Sequence, residues 1–307
     1  MIQSVMAFPW YVPIILHIVF IDLVYPWFLK GRVIDQNLLR RYFLQYLFAA
    51  CFGIGVAFLF NQFHLAPVTL LVLGIGAMNG FATYNYFRAA AINLSTLSLF
   101  GFMDDVIAIS LGYILLNERT FFNTGLSMGL LLSGSAAILY AWSAYQRKKS
   151  EGKNIVPIVI FFHIAIFTTL WGLATFSMRY FAIKQVDFGS FVFGWCGGSF
   201  IAACCIFLFK KERSLQDEIA AMAQKSDLGV ALLSSIFIGS GILLAYWAYI
   251  LAPLAVIKPI VCVSAMLIPA IVGLFVFKEG VQLNIKEKIS FALAVTGIIV
   301  IAISFNG

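Results

Sequence analysis

The chain has 307 residues, of which 62% are apolar and 11% charged, with a formal net charge of +7. Soluble domains carry about 25% charged residues, so a water-soluble globular protein is excluded, and the basic excess sits in short loops rather than in a nucleic-acid-binding patch. A transmembrane β-barrel is excluded too, because the apolar runs are continuous and do not alternate.

Apolar runs of about 20 residues mark membrane-crossing helices. Ten of them fill the chain, at 9–29, 39–60, 68–90, 94–116, 124–145, 155–181, 189–209, 228–250, 254–277 and 286–305. Residues 1–7 lack the basic stretch of a cleavable signal peptide, so the first run is expected to remain as a span. Helix 1 carries His17 and Asp22 inside its apolar run, and a basic loop with Lys30, Arg32, Arg40 and Arg41 follows. Helix 3 places Asn79, Thr83 and Tyr86 on one face at i, i+4 and i+7. A turn is expected at 89–95, after which helix 4 holds Asp104 and Asp105 near its middle and ends at Glu118. Helix 5 has Gly125, Gly129, Ser133 and Ser135, small residues that let helices approach closely in lipid. Residues 146–154 read as a basic linker between two halves, 1–145 and 155–307.

Helix 6 carries His163 early and Trp171–Gly172 later. The stretch 210–227 is the longest loop and is expected to form a short interfacial helix. Helix 8 bears Tyr246, Trp247 and Tyr249, a second turn is expected at 251–256, and helix 9 contains Lys258, Pro259 and Pro269 before ending at Glu279. Cys51, Cys196, Cys204, Cys205 and Cys262 all fall inside spans without CxxC or Cys/His spacing, so they read as small packing residues and not as disulfides or metal ligands.

The two halves repeat. A shift of 161 residues lays Asn79–Gly80 on Ser240–Gly241, Tyr86 on Trp247, Gly112 on Gly273 and Glu118 on Glu279. A fixed shift that matches glycines, aromatics and a terminal Glu reads as an internal duplication. Five helices per half is an odd number, so the second half is inverted in the membrane. The loop charges agree: of the 20 Lys and Arg, Lys258 lies inside a span, only Arg119, Arg179 and Lys184 lie on one side, and the rest share the other. The basic side is expected to be cytoplasmic, which puts both termini outside the cytoplasm. The expected fold class is therefore an all-α polytopic membrane protein of ten transmembrane helices in two inverted five-helix repeats, a transporter architecture.

The run 170–208, with Trp171–Gly172 and then RYFAIKQVD at 179–187, resembles the start of an EamA-type repeat of the drug/metabolite transporter superfamily. The expected turns after helices 3 and 8, and Glu118 and Glu279 closing helices 4 and 9, fit the same family. Helix 1 lacks the Trp–Gly of helix 6. The resemblance implies ten helices in two repeats over the whole chain, and a substrate drawn from amino acids, cationic drugs, nucleotides or sugars. It also implies cytoplasmic termini, opposite to the charge bias, which is followed here.

Ionisable groups in hydrocarbon cost about 2.5–3.5 kcal/mol each and normally face a cavity or a partner. Asp22, Asp104, Asp105 and Lys258 are the candidates. Asp105 shares a face with Ser98, Gly101, Ala108 and Gly112, a small-residue stripe able to border a cavity, whereas Asp104 is flanked by Phe100, Ile107 and Leu111. Alternatively one Asp is the structural partner of Lys258. Asp22 reads either as a proton-exchanging carboxyl or as a static hydrogen-bonding group. His17 and His163 are proton relays or packing histidines, and Asn79, Tyr86, Trp171 and Trp247 are cavity lining or interfacial anchors. Glu118 is expected to be solvated or pinned to a loop.

No HExxH, GxGD, GxSxG or Walker A sequence is present, so no enzyme chemistry is expected. The leading expectation is a secondary transporter that exports a small organic metabolite such as an amino acid, with proton coupling. The expected partners are that substrate and membrane lipid, the protein acting as monomer or homodimer without cofactor or metal. The expected location is the plasma membrane, in a bacterium the inner membrane. A cationic drug/H⁺ antiporter, or a non-transporting component such as a lipid-modifying enzyme subunit or flippase, are the alternatives.

Overall fold

The structure, a computed structural model, describes residues 9–25, 38–63, 66–100, 103–150, 158–210, 225–275 and 285–306. Among them the chain forms ten helical rods and no strand. These are α1 (Tyr11–Val24), α2 (Leu38–Leu59), α3 (Pro67–Phe100), α4 (Met103–Leu115), α5 (Thr124–Ser150), α6 (Ile158–Ile183), α7 (Phe188–Lys210), α8 (Lys225–Leu251), α9 (Leu254–Phe275) and α10 (Ile285–Asn306). A single 3-10 turn, Glu118–Phe121, joins α4 to α5. The second half of α1, Ile18–Val24, is wound as a π-helix.

Six of these helices (α2, α3, α6, α7, α8 and α10) are long and apolar enough to cross a membrane, and α1, α5 and α9 hold shorter apolar stretches. Their outer faces are apolar as well: Leu59, Phe209 and Ile158 are more than four-fifths exposed. In water such faces would drive aggregation, whereas hydrocarbon tails solvate them. The described chain is that of an all-helical membrane protein.

The helix ends follow from local chemistry. α2 and α6 close in the same way, with Asn61 (φ 52°) and Gln185 (φ 55°) in the left-handed region. The next N–H reaches back five residues in each case, Gln62 to the Ala57 carbonyl and Val186 to that of Phe181. This is the Schellman arrangement, which satisfies carbonyls that would otherwise lack partners. Asp187 then accepts from the Ser190 N–H at 2.8 Å and starts α7, and Asn123 accepts from the Leu126 N–H at 2.7 Å and starts α5. Gln62 ties the two ends together, because its Oε1 accepts from the Gly189 N–H and its carbonyl from the Ser190 hydroxyl.

The turn expected at 89–95 does not form. α3 continues to Phe100, because residues 89–100 contain neither Gly nor Pro and nothing stops the helix there. Its counterpart does break, between Leu251 and Leu254, where Pro253 cannot continue a helical ladder. The start of the expected linker is likewise helical, α5 running through Ser150. Residues 151–157, most of the expected interfacial helix at 210–227, Lys30, Arg32 and Glu279 lie outside the described residues.

The strongest packing joins helices from opposite ends of the chain: α3 and α2 against α7, α3 and α4 against α6, α2 and α1 against α8, α5 against α10, and α4 against α9. Close approach of α3 and α7 depends on glycine, since a Cβ at Gly198 would sit 1.9 Å from the Leu73 carbonyl oxygen. Inside, Phe191 stacks on Tyr246, with Trp195 and Phe188 against them. The Tyr246 hydroxyl donates to the carbonyls of Phe181 and Val186. The described cysteines are all free.

Candidate functional site

Lys258 sits one turn into α9, fully inside the protein, with 6% of its surface exposed. Its Nζ lies 3.3 Å from Asp104 Oδ2 and also contacts Asp105 Oδ1. Both carboxylates project from the first turn of α4, where successive residues normally diverge in direction. The long, flexible lysine stem reaches both at once. The triad holds two carboxylates and one cation. Removing the lysine would leave two buried carboxylates unpaired, which is costly in a medium of low polarity, whereas removing one carboxylate would leave a balanced pair.

A cavity of about 110 Å³ is bordered by Lys258. Its walls come from α1 (Ile14, His17), α6 (Trp171, Thr175, Met178), α8 (Ala245, Ala248, Tyr249) and α9 (Ile257, Lys258, Val261). It is apolar with a few convergent polar groups, the usual make-up of a small-molecule site. His17 Nδ1 lies 3.0 Å from the Gly241 carbonyl oxygen. A carbonyl only accepts, so Nδ1 carries the hydrogen, and in the neutral ring Nε2 keeps its lone pair. One bond thereby fastens α1 to α8 and fixes the orientation of the imidazole.

Trp171–Gly172 acts at the back of the triad. A Cβ on Gly172 would fall 2.9 Å from the Asp104 carbonyl oxygen and from the Ile107 side chain. Its absence lets α4 lie directly on α6 and sets how far the Asp104–Asp105 pair reaches toward α9. Trp171 itself joins the cavity wall and packs on Phe167, which in turn meets Tyr86.

Near the cavity, Met178 and Tyr249 lead into a second ionic cluster. Glu118 is 1% exposed and accepts from Arg179 Nε at 2.9 Å. Arg179 also donates to the Tyr249 carbonyl, and the Leu254 N–H that begins α9 donates to both Glu118 oxygens, at 3.2 and 3.0 Å. One carboxylate thus ties the end of α4 to α6 and to the first turn of α9. Glu118 is therefore not solvated, as one expectation has it, but buried and pinned by the Leu254 N–H at the 252–253 break. The available signal was that Arg179 is one of the few basic residues on the charge-poor side, the side on which α4 ends.

The remaining sequence candidates go elsewhere. Asn79 is buried between α3 and α7, donating to Ser199 Oγ at 3.0 Å, and Ser199 donates to the Gly76 carbonyl. His163 meets Asn85 Oδ1 at 2.8 Å and links α6 to α3. Tyr86 lies in the α3–α6 contact, and Trp247 packs half-buried against the main core, outside the cavity wall. Asp22 is buried in the π-helical part of α1, and its Oδ2 has no hydrogen-bond partner among the described residues. π-turns within helices recur at functional sites, and this stretch of α1 packs against α8 and α9.

No family model matches this sequence, and no curated protein matches it. Solved structures do. One, described only as a crystal structure of a protein, superposes with a TM-score of 0.65 at 15% identity, over 94% of this chain and 98% of that one. At that identity the likeness concerns the fold alone, which this chain shares from near its first helix to near its last.

Proposed function

We propose that this protein is a secondary transporter of small organic metabolites, of amino-acid size, with the cavity between α1, α6, α8 and α9 as its substrate site. The observation that carries the reading is the buried Asp104–Asp105–Lys258 triad at the wall of that cavity. Buried charges in a membrane protein are expensive and are retained where a substrate or ion passes. The cavity volume favours a metabolite over a drug. At about 110 Å³ it is smaller than the 150 Å³ hole that takes up benzene and well below a drug-sized pocket.

The architecture offered for this activity is ten spans in two inverted five-helix repeats of EamA type. It is supported by the pairing of α2 with α7, α4 with α9 and α5 with α10, and by the exchange of α3 on α6 for α8 on α1. These are the contacts that a two-fold relation between halves demands. On this reading the protein lies in the plasma membrane with both termini outside the cytoplasm, and a reporter fused after Gly307 that is active only in the cytoplasm stays silent. Asp22 serves proton coupling, because a buried carboxyl with an unpartnered oxygen is most cheaply neutralised by a proton.

The test is counterflow in proteoliposomes. Vesicles loaded with unlabelled amino acids accumulate the labelled species through the parent protein, and an imposed pH gradient accelerates the uptake. Asp22→Asn keeps counterflow and loses the acceleration. Absence of counterflow and of efflux for every amino acid tried removes the reading.

A further inference from the structure

Resting on the transport reading, we infer that the cavity selects zwitterions over ions of either sign, with Lys258 receiving the carboxylate end and His17 Nε2 the ammonium end. Three observations lead there.

Lys258 has three N–H donors. Two are directed at Asp104 and Asp105, and the side chain also borders the cavity, so the third is free to meet an acceptor placed there. His17 borders the same space. Its Nδ1 hydrogen is committed to the Gly241 carbonyl, which leaves Nε2 as an acceptor for a ligand N–H. The wall therefore offers one charged donor and one fixed acceptor. Trp171, Met178 and Ile257 supply apolar surface for the rest of the molecule.

Charge counting separates the ligand classes. The triad behind the cavity carries one more carboxylate than cation. A ligand anion would add to that excess. A ligand cation would gain the field of the surplus carboxylate, but it would leave the third Lys258 donor unmet and sit beside that like charge, which is the charged group among the described residues lining the cavity. A zwitterion avoids both penalties, because its carboxylate meets Lys258 while its ammonium lies in the field of the surplus carboxylate. Matching a dipolar site with a dipolar ligand gives specificity more than raw affinity.

The experiment compares three probes of nearly one size on the full-length purified protein: alanine, propionate and isopropylamine. Binding is read by calorimetry and entry by counterflow. Alanine binds at least about tenfold more tightly than either ion, the ratio expected from one charge-assisted hydrogen bond. His17→Asn keeps an amide hydrogen for the Gly241 carbonyl and lacks the Nε2 acceptor. It weakens alanine by about tenfold and leaves propionate unchanged, since one hydrogen bond to an ammonium is lost. His17→Gln, which restores a polar atom at the Nε2 position, recovers part of the loss. Lys258→Arg weakens alanine and propionate alike. If propionate or isopropylamine is transported and binds as well as alanine, the zwitterion assignment is overturned while the transport reading survives. If His17→Asn weakens all three probes equally, His17 merely holds α1 in place and its assigned role is overturned. If none of the three binds and counterflow is also absent, both readings fall together.

Discussion

Two buried ionic clusters lie near one cavity and are built on opposite principles. At the α4–α9 joint, Glu118 and Arg179 balance one another, and the surplus acceptors of the carboxylate are taken up by the Leu254 N–H. Along α4 and α9, two carboxylates share one lysine, so the count does not balance. A balanced, fully hydrogen-bonded pair holds helices together and has nothing left to offer a ligand. An unbalanced set bordering a cavity keeps unused capacity. The difference teaches that burial of charge alone does not mark a site; unmet capacity beside open space does.

The largest way to break this comparison is to unbalance the first cluster. Arg179→Met leaves Glu118 as an uncompensated buried charge and is expected to cost about 3–5 kcal/mol. Glu118→Gln with Arg179→Met restores most of that loss, measured as thermal unfolding of the purified protein. A failure of the double variant to recover would mean that the cluster is not a balanced pair. Next in size is Gly172→Ala, whose added methyl meets the Asp104 carbonyl and Ile107. It is expected to destabilise by about 1–3 kcal/mol through overpacking, and to lower alanine affinity because the triad is pushed toward α9. Smaller still is Asp105→Asn, which balances the second cluster. Its stability change stays within about 1 kcal/mol, the scale of one hydrogen bond, while counterflow falls sharply, since the surplus carboxylate is gone. Smallest in stability is Asp22→Asn, which leaves the melting temperature within about 2 °C of the parent, as expected for a shift of a few tenths of a kcal/mol. Its effect shows only when a pH gradient is applied.

Much of this was legible in the residues. Continuous apolar runs give the helices, and their ends are visible wherever a breaker stands, as at Pro253. The end of α3 was missed because the repeat suggested a turn where the local sequence contains nothing to make one. Asp104, Asp105, Lys258, His17 and Trp171 stand out as polar or aromatic residues in apolar spans, and the structure gathers them at or beside one cavity. Asn79 and His163 carried the same signal and face neighbouring helices instead. A sequence gives the face of a helix but not which neighbour covers it. The Glu118–Arg179 pair is foreshadowed only by Arg179 standing on the charge-poor side, because 61 residues separate its members.

The cap that Gln62 supplies to α7 comes from 127 residues earlier in the chain, and α5 packs on α10, the last of the described helices. During synthesis the first five helices therefore form before the faces they are shaped to meet exist. Gly76 and Asn79 on α3 find Trp195 and Ser199 only when α7 arrives. Until then the nascent half has few native contacts of its own, among them the Tyr42 hydroxyl donating to the Gly80 carbonyl. Assembly is consequently a late event, and two separately translated halves carry matching surfaces with which to find each other in the bilayer.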